Sequence, residues 1–221
     1  MGLILPILLL GLLASLSPST IVVFILLLET TRARVNAVAF LIGWAASLTF
    51  VFLASFELAA NDATQDTTTH TAVLVAEVLL GVALVAVAVH QWRRRRNGVL
   101  PSPKPAPAPQ VATRLKDLKP WGAVVVGVLK QPWAITAAAA LVVVHHQPGP
   151  VATAVAFLTF TVVSTATVGW LYLYYAFHPG EAEAGLTALR DRVSTTGPRY
   201  VPRVALVAGL LLVVDGVVGL S

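Results

Sequence analysis

The chain has 221 residues, of which 57% are hydrophobic and only 11% charged, with a net charge of +5 and no cysteine. A soluble domain is nearer 25% charged, so this balance excludes a disordered protein, a nucleic-acid module and an ordinary cytosolic enzyme, and leaves a polytopic membrane protein. The missing cysteines exclude disulfide scaffolds, thiolate metal sites and dithiol relays.

A hydrocarbon core about 30 Å thick takes roughly 20 apolar residues per helix, and six such windows occur along the chain. The first, 2–28, carries Leu16-Ser17-Pro18-Ser19-Thr20 near its middle. A signal peptide is the rival reading, but no basic residue precedes the apolar run and Ala14-Ser15-Leu16 is a poor cleavage site, so the run reads as a span. Arg32 and Arg34 follow it. The second span is 36–56; the loop after it holds Asp62 and Asp66; the third span, 71–90, includes Glu77. Arg93 to Arg96 then open a basic, proline-rich linker over 97–119 that reads as extended. The second half repeats the format, with spans at 121–144, 151–177 and 201–220. Its first span holds Leu129-Lys130-Gln131-Pro132-Trp133 near the middle, and its last holds Asp215. Between the last two spans, 181–193 predicts a short interfacial helix, acidic first and basic last, ended by Gly197-Pro198.

Of fifteen Lys and Arg residues, fourteen fall in connections 29–35, 91–119 and 178–200 or at the adjoining edge of the last span. By the positive-inside rule these loops are cytoplasmic, both termini lie outside, and the chain belongs in the cytoplasmic membrane. Three spans, a linker and three more spans make a 3+3 inverted repeat, 1–96 and 120–221, in an all-α fold. Ala37-Val38-Ala39-Phe40-Leu41 and Ala154-Val155-Ala156-Phe157-Leu158 recur in order in the two halves.

A proline inside a span frees backbone carbonyls that need partners, and such breaks survive where they line a cavity or pack in protein. Pro18 and Pro132 sit at equivalent places, so the breaks are expected to meet near the midplane, where inverted-repeat transporters bind substrate. The candidate substrate-binding residues are Ser17, Pro18, Ser19, Thr20, Lys130, Gln131, Pro132 and Trp133. Lys130 lies eleven residues from Lys119, about 16 Å of helix, too deep to reach the interface easily. It is expected to face the interior, with Glu77 or Asp215 as ion-pair or proton-exchanging partner; a buried pair that only fixes packing is the equal alternative. Small-residue stripes (Gly11, Ser15, Ser19; Ala39, Gly43, Ser47; Thr161, Thr165, Gly169) read as close helix packing. Trp44 and Trp170 fall in equivalent spans, and Trp92 and Trp121 at an interface. His145 and His146 are adjacent and expected to diverge, so no metal site, and no cofactor, is expected.

The run from Leu8 to Thr20, the Arg-bearing loop after it, Gly43-Trp44, the basic Pro-rich linker and Leu129-Lys130-Gln131-Pro132 together resemble the GAP family. These are the glycopeptidolipid- and sulfolipid-addressing proteins of actinobacteria, similar to the LysE-like exporter superfamily. The resemblance covers nearly the whole chain and implies a six-helix 3+3 fold that moves a lipid or glycolipid across or onto the cell envelope beside a larger lipid exporter. Superfamily members that export amino acids carry Ser-Pro-Gly-Pro in the first helix; here Ser19-Thr20 replaces Gly-Pro. Thiol-reducing relatives need a cysteine pair that is absent, and the His-rich loops of metal-exporting ones resemble His145-His146 only faintly.

The leading expectation is therefore a membrane transporter or export accessory for an envelope lipid, working between the halves. The alternatives are a proton-coupled exporter of a small amino acid or cation, and a non-transporting scaffold subunit. Expected partners are membrane lipids, a larger exporter and further copies in a homo-oligomer, with no nucleic acid. No nucleophile–base pair or catalytic residue suggests an enzyme.

Overall fold

The computed structural model describes residues 3–63, 67–96, 117–147, 149–178 and 182–220. They form α1 (Ile4–Ser15), α2 (Pro18–Leu28), α3 (Ala33–Ala63), α4 (Thr67–Arg96), α5 (Pro120–Lys130), α6 (Trp133–His146), α7 (Pro150–Phe177) and α8 (Ala182–Leu220). No strand occurs among the described residues. The helices at Ala33–Ala59, Pro150–Phe177 and Tyr200–Val218 are long and apolar enough to cross a membrane, and the bent pairs α1/α2 and α5/α6 raise the number to as many as five. Phe50, 73% exposed, and Ile42, Leu129 and Val162 belong to an exposed apolar surface that suits lipid rather than water.

Proline chemistry decides where these helices start. Pro18, Pro120 and Pro150 each occupy the first turn of a helix, where the missing N–H costs nothing and the fixed φ is already helical. The residue before a proline is pushed out of the α region. Ser17 accordingly has ψ 108° and Gln131 ψ 131°, both extended. The apolar runs 2–28 and 121–144 are therefore not kinked helices but pairs of helices, bent by 49° and 55° across the breaks.

Two further expectations are revised. Gly197-Pro198 does not end a separate interfacial helix; α8 continues through it from Ala182 to Leu220. A proline one turn or more inside a helix removes one hydrogen bond without ending it when neighbouring packing holds the chain. Here Leu186 is buried in the same cluster as Leu27 and Phe40, which secures α8 ahead of that point. The linker expected at 97–119 falls mainly outside the described residues; only 117–119 lead visibly into α5.

Packing crosses between the two sides of the linker. α3 lies along α5, α1 along α7, and α4 along α8, the last being the most extensive contact. Glycines set the closest of these approaches: a Cβ on Gly43 would strike the Val124 carbonyl, and one on Gly127 the Phe40 carbonyl. At the α4–α8 crossing, a Cβ on Gly81 would sit 2.8 Å from the Gly209 carbonyl oxygen.

Two large apolar cores result, beside smaller clusters around Leu13 and Ala59. One gathers Ile21 and Phe24 of α2, Phe40 and Trp44 of α3, Ala123 of α5 and Leu171 of α7. The other gathers Ile7 and Leu10 of α1, Phe52 of α3, Ala139 and Val142 of α6 and Phe160 of α7. The second helix of the first broken pair thus shares a core with the first helix of the other, and the reverse holds in the second core. The breaks form a waist between them.

Candidate functional site

Most of the buried polar side chains collect at this waist: Ser15, Thr20, Ser47, Gln131, Thr136 and Ser164, whereas Thr30 and Asn36 lie at the end of the molecule where α3 begins. An interrupted helix explains the concentration, because the last carbonyls of one segment and the first N–H groups of the next have no partners within their own helices. At the first break, the Ser17 carbonyl accepts the N–H of Thr20 and of Ile21, both at 3.1 Å. Ser17 Oγ lies 3.3 Å from Ser19 Oγ and accepts from Thr20 Oγ1 at 3.1 Å. Ser15 Oγ reaches across to Thr167 of α7, 2.6 Å from its hydroxyl, and accepts its backbone N–H at 3.2 Å.

At the second break the side chains are larger. The Trp133 indole N–H folds back over the gap to the Val128 carbonyl at 3.1 Å and to Ser47 Oγ of α3 at 3.1 Å. One N–H thereby covers a carbonyl freed by the end of α5 and ties the break to the neighbouring helix. Gln131 Nε2 donates to Thr136 Oγ1 in the next turn. Its Oε1 is buried and meets no hydrogen-bond donor among the described residues. Asn36 Oδ1, Trp44 Nε1 and Thr165 Oγ1 are likewise buried without a partner among the described residues, and Gln131 is set apart from them by its place at the break.

The two breaks touch. Thr20 Oγ1 lies 3.3 Å from the Lys130 carbonyl oxygen, so its single proton is shared between Ser17 Oγ and the opposite helix. The segments around Pro18 and Pro132 thus meet. Lys130 is the last residue of α5, half-buried, where a cation also complements the helix's negative end. Pro132 is the cap residue of α6, and Ser19 is exposed. The side chains of Glu77 and Asp215 lie outside the described ones, and with them the expected pairing to Lys130. Their helices, α4 and α8, run side by side.

The small-residue stripes mostly pack, with Gly11 against Val163 and Gly43 against Val124, but Gly169 has nothing within 4 Å. Ser47 belongs to the waist as well as to a stripe. Ser15, Ser47, Thr136, Ser164 and Thr167 are the contributors that the sequence did not name as site residues. Their one signal there is that Ser15 and Ser47 each follow a glycine, Gly11 and Gly43, by four residues on the same helical face. Trp44 and Trp170 are not equivalent, being 1% and 69% exposed. The His145 and His146 rings do not diverge: their centroids are 4.9 Å apart, and His146 Nδ1 lies 3.0 Å from the Val142 carbonyl. Among the described residues, no group of three or more His, Asp or Glu side chains is placed to hold a metal ion.

Two interrupted apolar helices that cross at a polar waist define the class: an all-helical membrane protein. The chain belongs to the SfLAP family, described as Sap, sulfolipid-1-addressing protein, whose family profile matches residues 7–218. The resemblance to sulfolipid-addressing proteins is borne out by this match, which points to a role in lipid export or addressing and does not extend to the wider exporter superfamily. No curated protein and no solved structure matches the chain.

Proposed function

We propose that the protein is a six-span transporter or export accessory that moves an envelope lipid or glycolipid, with the waist between α1/α2 and α5/α6 as its working site. The observation that carries this reading is the contact of the two breaks beside a lysine and an unpaired buried acceptor, in a chain of a sulfolipid-addressing family. Discontinuous helices that meet in this manner supply free backbone groups and polar side chains within an otherwise apolar interior, as in transporters with inverted repeats.

The 3+3 inverted repeat is supported by reciprocal packing. If α1, α2, α3 and α4 correspond to α5, α6, α7 and α8, the pair α3/α5 has its counterpart in α7/α1, and α2/α8 in α6/α4. Residues 71–90, with Glu77 their one charged residue, supply the sixth span. For the cytoplasmic placement of the basic loops, the support is their proximity. Arg190 pairs with Glu29 at 3.2 Å, and Asn36 Nδ2 donates to the Leu118 carbonyl at 3.1 Å, which gathers three connections at one end. In this reading Lys130 engages an acidic headgroup, Glu77 and Asp215 balance it, membrane lipids are the cargo, a larger exporter is the partner, and no bond is made or broken.

Comparing the lipids of the cell surface and interior with and without the protein tests the reading. Expected is a lipid class that stays inside when the protein is missing and returns to the surface on complementation. An unchanged distribution overturns it. A surface lipid restored equally by the wild type and by a Lys130→Ala variant assigns the protein to the scaffold role instead.

A further inference from the structure

α2 and α8 pack against one another, and a cavity of about 200 Å³ opens between them beside the first break. Leu16 and Ile21 line it from either side of Ser17–Pro18, and Leu189 and Val193, one helical turn apart, line it from α8. The wall is aliphatic except for Arg192 and Tyr200, both exposed at its margin. An apolar hollow edged by a guanidinium and a phenol fits an amphiphile with a negative end. Pockets that enclose a whole small ligand start at about 300 Å³, so this one takes part of a larger molecule.

The charge around it points the same way. Residues 190–203 carry Arg190, Arg192, Arg199 and Arg203 against Asp191 alone. Arg190 holds Glu29 of the neighbouring loop at 3.2 Å, and Asp191 lies 3.9 Å from the same guanidinium. Tyr200 adds an aromatic ring of the kind that settles at a lipid headgroup level.

We propose that this cavity binds one acyl chain of an anionic lipid, with the acidic headgroup against Arg192, and so forms the loading position for the waist. The inference rests on the lipid-handling reading above and adds where the lipid enters and which residue meets its headgroup. Leu16 is the last residue before the break, so a chain seated here ends next to Ser17 and Thr20.

The test uses the full chain in nanodiscs of zwitterionic lipid that contain phosphatidylglycerol with a photoreactive acyl chain, followed by peptide mapping. Adducts are expected on segments 16–21 and 189–201. The matching phosphatidylcholine probe should label them about fivefold less, the factor expected for one basic residue near an anionic surface. Arg192→Gln should remove that preference, Arg192→Lys should keep most of it, and Val193→Trp should suppress adducts with both probes by filling the hollow. Adducts spread evenly over the apolar surface, or equal labelling by both probes in the wild type, overturn the proposal. The two readings fail separately. Without a headgroup preference the cavity assignment falls while the effect of the protein on surface lipid stands. An Arg192-dependent cavity in a protein whose removal leaves surface lipid unchanged removes the transport reading alone.

Discussion

At the first break the gap is filled by short hydroxyls, Ser17, Ser19 and Thr20, which bond to one another, with Thr20 also reaching the Lys130 carbonyl. At the second it is spanned by long side chains, with Trp133 folded back to Val128 and Gln131 forward to Thr136. Pro18 is the first helical residue of α2, whereas Pro132 precedes α6 as its cap. The difference teaches that equivalent prolines do not make equivalent sites. The first break spends its hydroxyls on protein partners, Thr20 on Lys130 and Ser15 on Thr167, while the second keeps a lysine, an exposed indole and a carbonyl oxygen unpaired among the described residues. Chemistry with a headgroup therefore belongs to the second break, and the first serves as its rigid opposite wall.

The strongest way to break this asymmetry is at the charge. Lys130→Ala is expected to reduce surface lipid to the level of cells without the protein while the purified variant stays folded by thermal unfolding in detergent. Ser17→Ala should retain most export, and equal losses from both would erase the distinction. Next in size are the helix crossings. Gly43→Leu forces α3 off the Val124 carbonyl and should cost about 3 kcal/mol or more. Gly11→Ala places its Cβ 3.0 Å from the Val163 Cβ and 3.5 Å from the Phe160 carbonyl oxygen, a milder conflict that α7 can relieve by a shift of a few tenths of an ångström, and should cost nearer 1 kcal/mol in the same unfolding measurement.

A smaller effect is expected at Gln131. Replacing it with Leu removes a buried acceptor without a donor but also the bond to the buried Thr136 hydroxyl, so the two changes offset and stability should shift by less than about 1 kcal/mol while lipid export falls. A fall in both would make Gln131 a packing residue. The smallest change is Glu29→Gln: the pair with Arg190 is partly exposed, and its loss should cost well under about 1 kcal/mol and diminish further in high salt.

Much of this arrangement was legible in the sequence because it depends on local rules. Pro18 and Pro132 announced the breaks, and the apolar runs gave the helices. What lay beyond it were contacts made across more than a hundred residues, such as Ser15 with Thr167 and Thr20 with Lys130. A serine in an apolar helix bonds its own backbone as readily as a distant partner, so the sequence does not say which it does. Continuity of α8 through Pro198 was equally hidden, since the packing of α8 against α2 that buries Leu186 and steadies the helix is a tertiary fact. The unlike burial of Trp44 and Trp170 has the same origin, because α5 covers one and nothing comparable covers the other.

The glycine crossings carry a consequence for chain connectivity. Phe40 and Trp44 are buried with Ala123, and Gly81 meets Gly209, so each stretch of chain on one side of 97–116 completes its packing with the stretch on the other. Covalent continuity through the proline-rich segment then contributes effective concentration and little else. Residues 1–96 and 117–221, made as separate polypeptides in one cell, should find each other and assemble as a non-covalent pair, while either alone would present its tryptophan- and glycine-lined faces to lipid.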